Sequence, residues 1–191
     1  MKLKLLVSSQ SNLIRNNVMR VYPKSVHEGQ VYPTRDGDLI VIKYNSALEV
    51  LVEFVDTGYR RLVSAGEIRR GRAKDRLKPS VYGVGYLGDG PHLANSRRVK
   101  SVAYIAWHNM IKRCYSSTYH IKYPEYADCT VASEWHNFQN FAVWFYDNHV
   151  VGFDLDKDLR VIGNRVYSSD TCQYINPKIN RSTQASVNRG N

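Results

Sequence analysis

The stretch LDKDLRVIGNRVYSSDTCQYINPKIN, residues 155–180, is where the reading of the fold turns. Residues 155–161 are strand-like, Gly163-Asn164 is a turn signal, and residues 165–180 read as a second strand or a short helix. Upstream the period becomes helical. Ala103, Trp107, Met110 and Cys114 fall at i, i+4, i+7 and i+11, one stripe of a helix that carries Lys112 and Arg113 near its end. A loop with Tyr123-Pro124 and a short strand around Cys129–Val131 come next. Ser133 is then placed to N-cap a second helix, on which Trp135, Phe138, Ala142 and Phe145 repeat at helical spacing. The two amphipathic helices are expected to pack on each other.

Further outward, residues 79–98 hold Pro79, Gly83, Gly85, Gly88, Gly90 and Pro91, which reads as an irregular connection. Before it, the turn signal Asp36-Gly37 leads into the runs 39–44 and 50–54, and Asp56-Thr57-Gly58 turns the chain into a third strand, Tyr59 to Val63. A small β-barrel or three-stranded sheet is expected there. The organisation expected is α+β: an arm over 1–35, a β-rich basic module over 36–80, a linker over 81–100, a domain over 101–180 and a polar tail over 181–191.

The chain has 191 residues, 43% of them apolar, which excludes wholesale disorder. Mean hydropathy is −0.44, and no apolar run approaches the ~18 residues of a membrane helix, so a soluble protein without a membrane partner is expected. The apolar part of the opening residues stops at Ser8-Ser9-Gln10, too short for an export signal. The net charge of +10 is localised. Residues 60–78 hold Arg60, Arg61, Arg69, Arg70, Arg72, Lys74, Arg76 and Lys78 against two acids, and residues 97–113 hold Arg97, Arg98, Lys100, Lys112 and Arg113 against none. Clusters of this kind suit a polyanion, because each phosphate neutralised releases condensed counterions. The alternative is a solvated basic face. Neither window has the apolar helical flank that a membrane surface would need. Tyr59, Tyr82 and Tyr86 lie close in sequence to the cations and are candidates for stacking on bases, although aromatics of a barrel are more often core.

Several motif-like strings do not carry the chemistry they imitate. Gly83-Val-Gly-Tyr-Leu-Gly88 spells a dinucleotide fingerprint, but Asp89-Gly90-Pro91 follows where a helix must start. Asp56-Thr57-Gly58 spells an aspartic-protease triplet, yet a hairpin turn explains it and Tyr59-Arg60-Arg61 would put cations in an apolar site. Asp154, Asp156 and Asp158 start like a calcium loop, with Leu159 in place of its glycine and Arg165 in place of its closing glutamate. Three cysteines (114, 129, 172) without a C-x-x-C pair, and six scattered histidines, argue for free thiols and against zinc. The tetrads Trp107-His-Asn-Met110 and Trp135-His-Asn-Phe138 repeat each other; each is expected on a helix, and shared core packing explains them better than a paired histidine site.

With Ala106-Trp107 through Cys114-Tyr115, Tyr123–Tyr126, Cys129–Val131, Glu134-Trp135 and Phe138–Phe141, the 155–180 segment resembles a family of phage-encoded, HNH-related endonucleases, over residues 82–180. The resemblance implies a ββα domain that cleaves or nicks DNA with one divalent metal, magnesium or manganese, in the cytoplasm of an infected bacterium. It makes Asp156 the Asp of the Asp-His pair, Asn164 the asparagine at the turn, and Asn176 or Asn180 the helix residue. Lys157 stands where the water-activating histidine is expected. An exposed lysine, with a pKa near ~10.4, keeps its proton at neutral pH. Two readings follow: a site rewired around Asp156, Asp158 and Asn180 as metal ligands, or a non-catalytic scaffold that binds nucleic acid, DNA or RNA, or a host factor. A charged hairpin with no site is the plain alternative.

Overall fold

The computed structural model describes residues 23–161 and 163–179, so the 181–191 tail and most of the 1–35 arm lie outside it. The chain is α+β and divides into two units between Lys78 and Pro79. Among the described residues no helix is long and apolar enough to cross a membrane.

In the first unit, β1 (Val31–Thr34), β2 (Gly37–Ser46), β3 (Glu49–Phe54) and β4 (Arg60–Val63) form one antiparallel sheet in chain order. Alternation decides which side faces the core: Val50, Val52 and Phe54 are buried while Leu51 and Glu53 are not. The core adds Tyr32, Leu39, Val41, Tyr59, Val63 and Ile68. Of the two roles open to Tyr59, stacking on bases or core, the structure gives it core, packed on Phe54. Strand β1 falls in the expected arm. Pro33 argues against a strand in the sequence, but β1 is an edge strand, the place in a sheet that tolerates a missing amide. Helix α1 (Ala65–Arg69) follows a capping box: the Ser64 side chain accepts from the Glu67 amide, and the Glu67 carboxylate accepts from the Ser64 amide.

The second unit is built on α2 (Val102–Tyr115) and α4 (Phe138–Asn148), with α3 (Ser117–Lys122) between them in sequence. The expected stripe Ala103, Trp107, Met110 and Cys114 is buried against Trp135, Phe138, Phe141, Ala142 and Phe145. The second helix starts later than expected. Ser133–His136 is a 3-10 turn, and Asn137, whose side chain accepts from the Gln139 amide at 2.9 Å, is the N-cap.

Residues 81–100 read as a linker in the sequence, yet residues 81–94 pack against this unit's core while 95–100 form an exposed hairpin. Val81, Tyr82, Leu87 and Ala94 make the apolar contact with the core, and the buried Gln139 amide donates to the carbonyls of Leu87 and His92 while its oxygen accepts from the His92 amide. The glycines of the dinucleotide-like string have a packing reason. A Cβ on Gly85 would stand 2.8 Å from the Trp107 ring, and one on Gly88, whose φ is +69°, would collide with Asn137.

The expected 155–161 strand is cut short. β8 (Asp154–Asp156) pairs with β10 (Gln173–Ile175), while β9 (Val166–Tyr167) pairs in parallel with β7 (Thr130–Val131). Asp156 ends its own strand, because its Oδ1 accepts from the amides of Asp158 (3.0 Å) and Leu159 (2.7 Å), an Asx turn. The hairpin β5 (Asn95–Ser96) and β6 (Val99–Lys100) leads into α2.

Candidate nucleic-acid interface

The basic windows separate into cations committed to the fold and cations that are not. Arg60 lies across the sheet from Glu53 and pairs with it at 2.5 Å. Lys74 pairs with Asp36 at 3.4 Å, and Arg61 donates to the Lys74 carbonyl. Arg113 is the most committed: its guanidinium lies 5.9 Å from the Tyr126 ring centroid. Burial opposes its charge, but the Tyr167 and Tyr126 hydroxyls, with a hydrogen bond to Tyr167, hold its pKa above the ordinary arginine value.

Arg69, Arg70 and Arg72 surround the turn at Gly71, whose φ of +58° swings the chain sharply at the end of α1. All three are exposed, and none pairs with an acid among the described residues, although Arg70 Nη1 donates to the Gly66 carbonyl at 3.5 Å. Arg97 and Arg98 form the two-residue tip of the β5–β6 hairpin, with φ of +50° and +69°. A turn of this hand prefers Asn-Gly, because a side chain there costs backbone strain. Both arginines are exposed, again without an acidic partner among the described residues. Lys100 and Lys112 lie over the rings of Tyr104 (5.8 Å) and Tyr119 (5.3 Å).

The loop from Asp156 to Asn164 brings the expected catalytic residues together, but as parts of one internal clasp. Lys157 is only 7% exposed. Its ammonium donates to the Asp158 carboxylate and to the Asn164 carbonyl (3.1 Å), with the Tyr167 ring 5.7 Å away. The Asn164 side-chain amide donates back to the carbonyls of Lys157 (2.8 Å) and Val166 (2.7 Å), and its oxygen accepts from the Val166 amide. The loop is therefore closed by its own side chains.

As metal ligands the same residues fit poorly. One oxygen of Asp156 is occupied by two amides, and the Asp158 carboxylate is neutralised by Lys157. Asn180 lies outside the described residues, and among those described no group of three or more His, Cys, Asp or Glu is arranged to hold a metal. Asn176 instead caps a helical turn, its side chain accepting from the Lys178 amide. The three cysteines are buried free thiols; burial above all pushes Cys114 and Cys172 up to about 12, so neither offers a thiolate at neutral pH.

His108 lies outside every expected site. Its ring sits 5.4 Å from Tyr82 and 5.8 Å from Tyr104, and burial, then Lys100 and Lys112, push its pKa below the ordinary histidine value. Its phase is legible in the sequence, since it stands four residues from both Tyr104 and Lys112. No protein-family model, curated protein or solved structure matches the chain.

Proposed function

We propose that the chain binds nucleic acid, with DNA as the partner, through exposed cations on both units. One observation carries the reading: Arg69, Arg70, Arg72, Arg97 and Arg98 are exposed without an acidic partner among the described residues, while Arg60 and Lys74 have one. An uncompensated surface arginine keeps its field and its hydrogen-bonding fork for a phosphate. The strained arginine pair at the hairpin tip adds to this, because strain at a solvent-facing turn is retained where the side chains serve something other than the turn.

Replacing Arg69, Arg70 and Arg72 together by Gln tests it. Binding to unrelated duplexes should weaken alike, and the slope of log affinity against log salt should flatten by about 0.9 for each phosphate that is no longer neutralised. An unchanged slope would remove these arginines from the interface.

Metal-dependent cleavage of DNA, of the HNH-related kind, is the second reading. It is favoured by the order of strand, loop, strand and helical turn over residues 154–179, with Asp156 and Asn164 on the one loop. The clasp around Lys157 weighs against it, since the residue in the histidine's place is engaged in holding the loop. Nicking of supercoiled plasmid with magnesium or manganese separates the readings. Nicking by the parent that Asp156→Asn abolishes would establish cleavage. A parent inert in both metals, with duplex binding intact and with Lys157→His also inert, leaves binding alone.

A further inference from the structure

Helix α2 carries a second stripe besides the buried one. Tyr104, His108 and Lys112 follow at intervals of four, the spacing of neighbours along one helical face, and Lys100, the last residue of β6 ahead of the helix, brings its Nζ to 5.8 Å from the Tyr104 ring centroid. The row continues beyond the helix: Lys112 Nζ lies 5.3 Å from the Tyr119 ring centroid, Tyr119 and Tyr123 are 4.6 Å apart with their planes 32° from parallel, and Lys122 Nζ lies 5.3 Å from Tyr123. Tyr126 meets Tyr119 edge-on at 5.8 Å and is itself faced by Arg113, so Tyr119 is buttressed from the core side. Tyr104, His108, Tyr119 and Tyr123 are all partly exposed. No Asp or Glu occurs between Asp89 and Glu125.

Cations alone would serve a duplex, whose base faces are hidden by stacking and whose phosphates are what a sequence-tolerant surface meets. Interleaved rings gain nothing there. A single strand differs, because each unstacked base offers a flat face to an aromatic ring while its backbone meets cations, and such stacking tolerates any sequence. The lysines lying over Tyr119 and Tyr123 sit on flexible stems. A base taking the place of the ammonium on the ring would free that ammonium for the adjoining phosphate, exchanging one cation–ring contact for a stacked base and an ion pair.

We propose that the row from Lys100 to Lys122 is a track for single-stranded or locally unpaired DNA, with bases stacking on Tyr119 and Tyr123 and phosphates meeting Lys100, Lys112 and Lys122. It rests on the nucleic-acid reading above and names the state of the strand that this face takes.

The test uses the full chain with labelled oligo-dT, oligo-rU and a blunt duplex at one fixed salt concentration. Tyr119→Leu with Tyr123→Leu should lower oligo-dT affinity by about tenfold or more and leave duplex affinity within about twofold, whereas the Tyr→Phe pair should bind like the parent. Photocrosslinking of the parent to an iodouracil-substituted oligo-dT should modify the peptide containing Tyr119 and Tyr123, a readout that does not depend on a variant folding. Crosslinks confined to other segments, or a Leu pair that binds oligo-dT as the parent does, overturn the track. A parent that holds duplex but not oligo-dT overturns the track and leaves the nucleic-acid reading standing; a parent that holds neither overturns both. Tighter binding of oligo-rU than of oligo-dT overturns DNA as the occupant.

Discussion

The same three residues, Trp-His-Asn, occur at 107–109 and at 135–137, and the two copies differ in all but the burial of the tryptophan. The first lies inside α2, which turns Trp107 inward, leaves Asn109 exposed and places His108 among Tyr82 and Tyr104. The second lies where a 3-10 turn becomes α4. There His136 Nε2 donates to the Val131 carbonyl at 3.0 Å, and Asn137 caps the helix. The copies meet in the core, where Trp107 Nε1 donates to the Trp135 carbonyl at 2.7 Å. A motif at a helix start commits its polar groups to the fold, whereas the same motif in mid-helix leaves them on a surface. Only the first copy therefore contributes to the candidate interface.

The largest effect should come from Trp107, which fills the core and whose indole donates the hydrogen bond that joins the copies. Trp107→Ala removes a fully buried indole and leaves the Trp135 carbonyl without its donor, a loss of about 3–5 kcal/mol from packing alone. Against a domain stability of ~5–15 kcal/mol, that should bring the second unit near its unfolding point at room temperature. Trp107→Phe keeps much of the packing but not the hydrogen bond, and should cost about 1–3 kcal/mol for the unpaired buried carbonyl. Denaturant unfolding followed by tryptophan fluorescence reads both. Equal losses from the two variants would mean that the hydrogen bond joining the copies carries the effect and that ring volume matters little, whereas a Phe variant as stable as the parent would mean the reverse.

What the sequence makes legible here is periodicity on one-sided elements. The alternation of Val50, Val52 and Phe54 and the stripe Ala103, Trp107, Met110 and Cys114 are local patterns, and both emerge as the buried faces. What it hides are choices made by distant partners. Ser133 looks like an N-cap, and Trp135 falls in helical phase with Phe138, but the strand-like pairing of Tyr86 with Asn137 holds the chain extended at that point. The glycines at 85 and 88 imitate a phosphate loop because the atoms that exclude their side chains, on Trp107 and Asn137, are far away in sequence. Lys157 reads as a surface cation until Asn164 folds back on it. Counting charge by window groups Lys112 with Arg113, although one lies over an exposed ring and the other is held among core tyrosines.

A smaller contrast follows for the two asparagines. Asn137→Ala removes the acceptor for the Gln139 amide at the start of α4 and should cost about 1 kcal/mol, within the roughly 0.5–2 kcal/mol usual for removing a cap. Asn109→Ala, on an exposed mid-helix position, should stay within about ±0.5 kcal/mol. Asn137→Asp, which can still cap, should recover most of the loss. If the two alanine variants melt alike, the cap is not what distinguishes the copies.

The smallest effect is a dependence on pH. Burial, followed by the charges of Lys100 and Lys112, holds the His108 imidazole below its ordinary value in the folded chain, while unfolding returns it to about 6.5. Between the lowered value and ~6.5 the unfolded state therefore binds more protons than the folded one, and stability must fall as pH drops through that window. Above about pH 7 both states are neutral at this site and the contribution is complete. His108→Gln removes the titration but keeps a polar side chain of similar reach. On going from about pH 7.5 to about pH 5, the parent should lose more stability than His108→Gln, and the gap between their denaturation midpoints should change only inside that window. Parallel curves across the whole range would mean that the imidazole is as free to take a proton in the folded chain as in the unfolded one, and that Lys100 and Lys112 do not act on it.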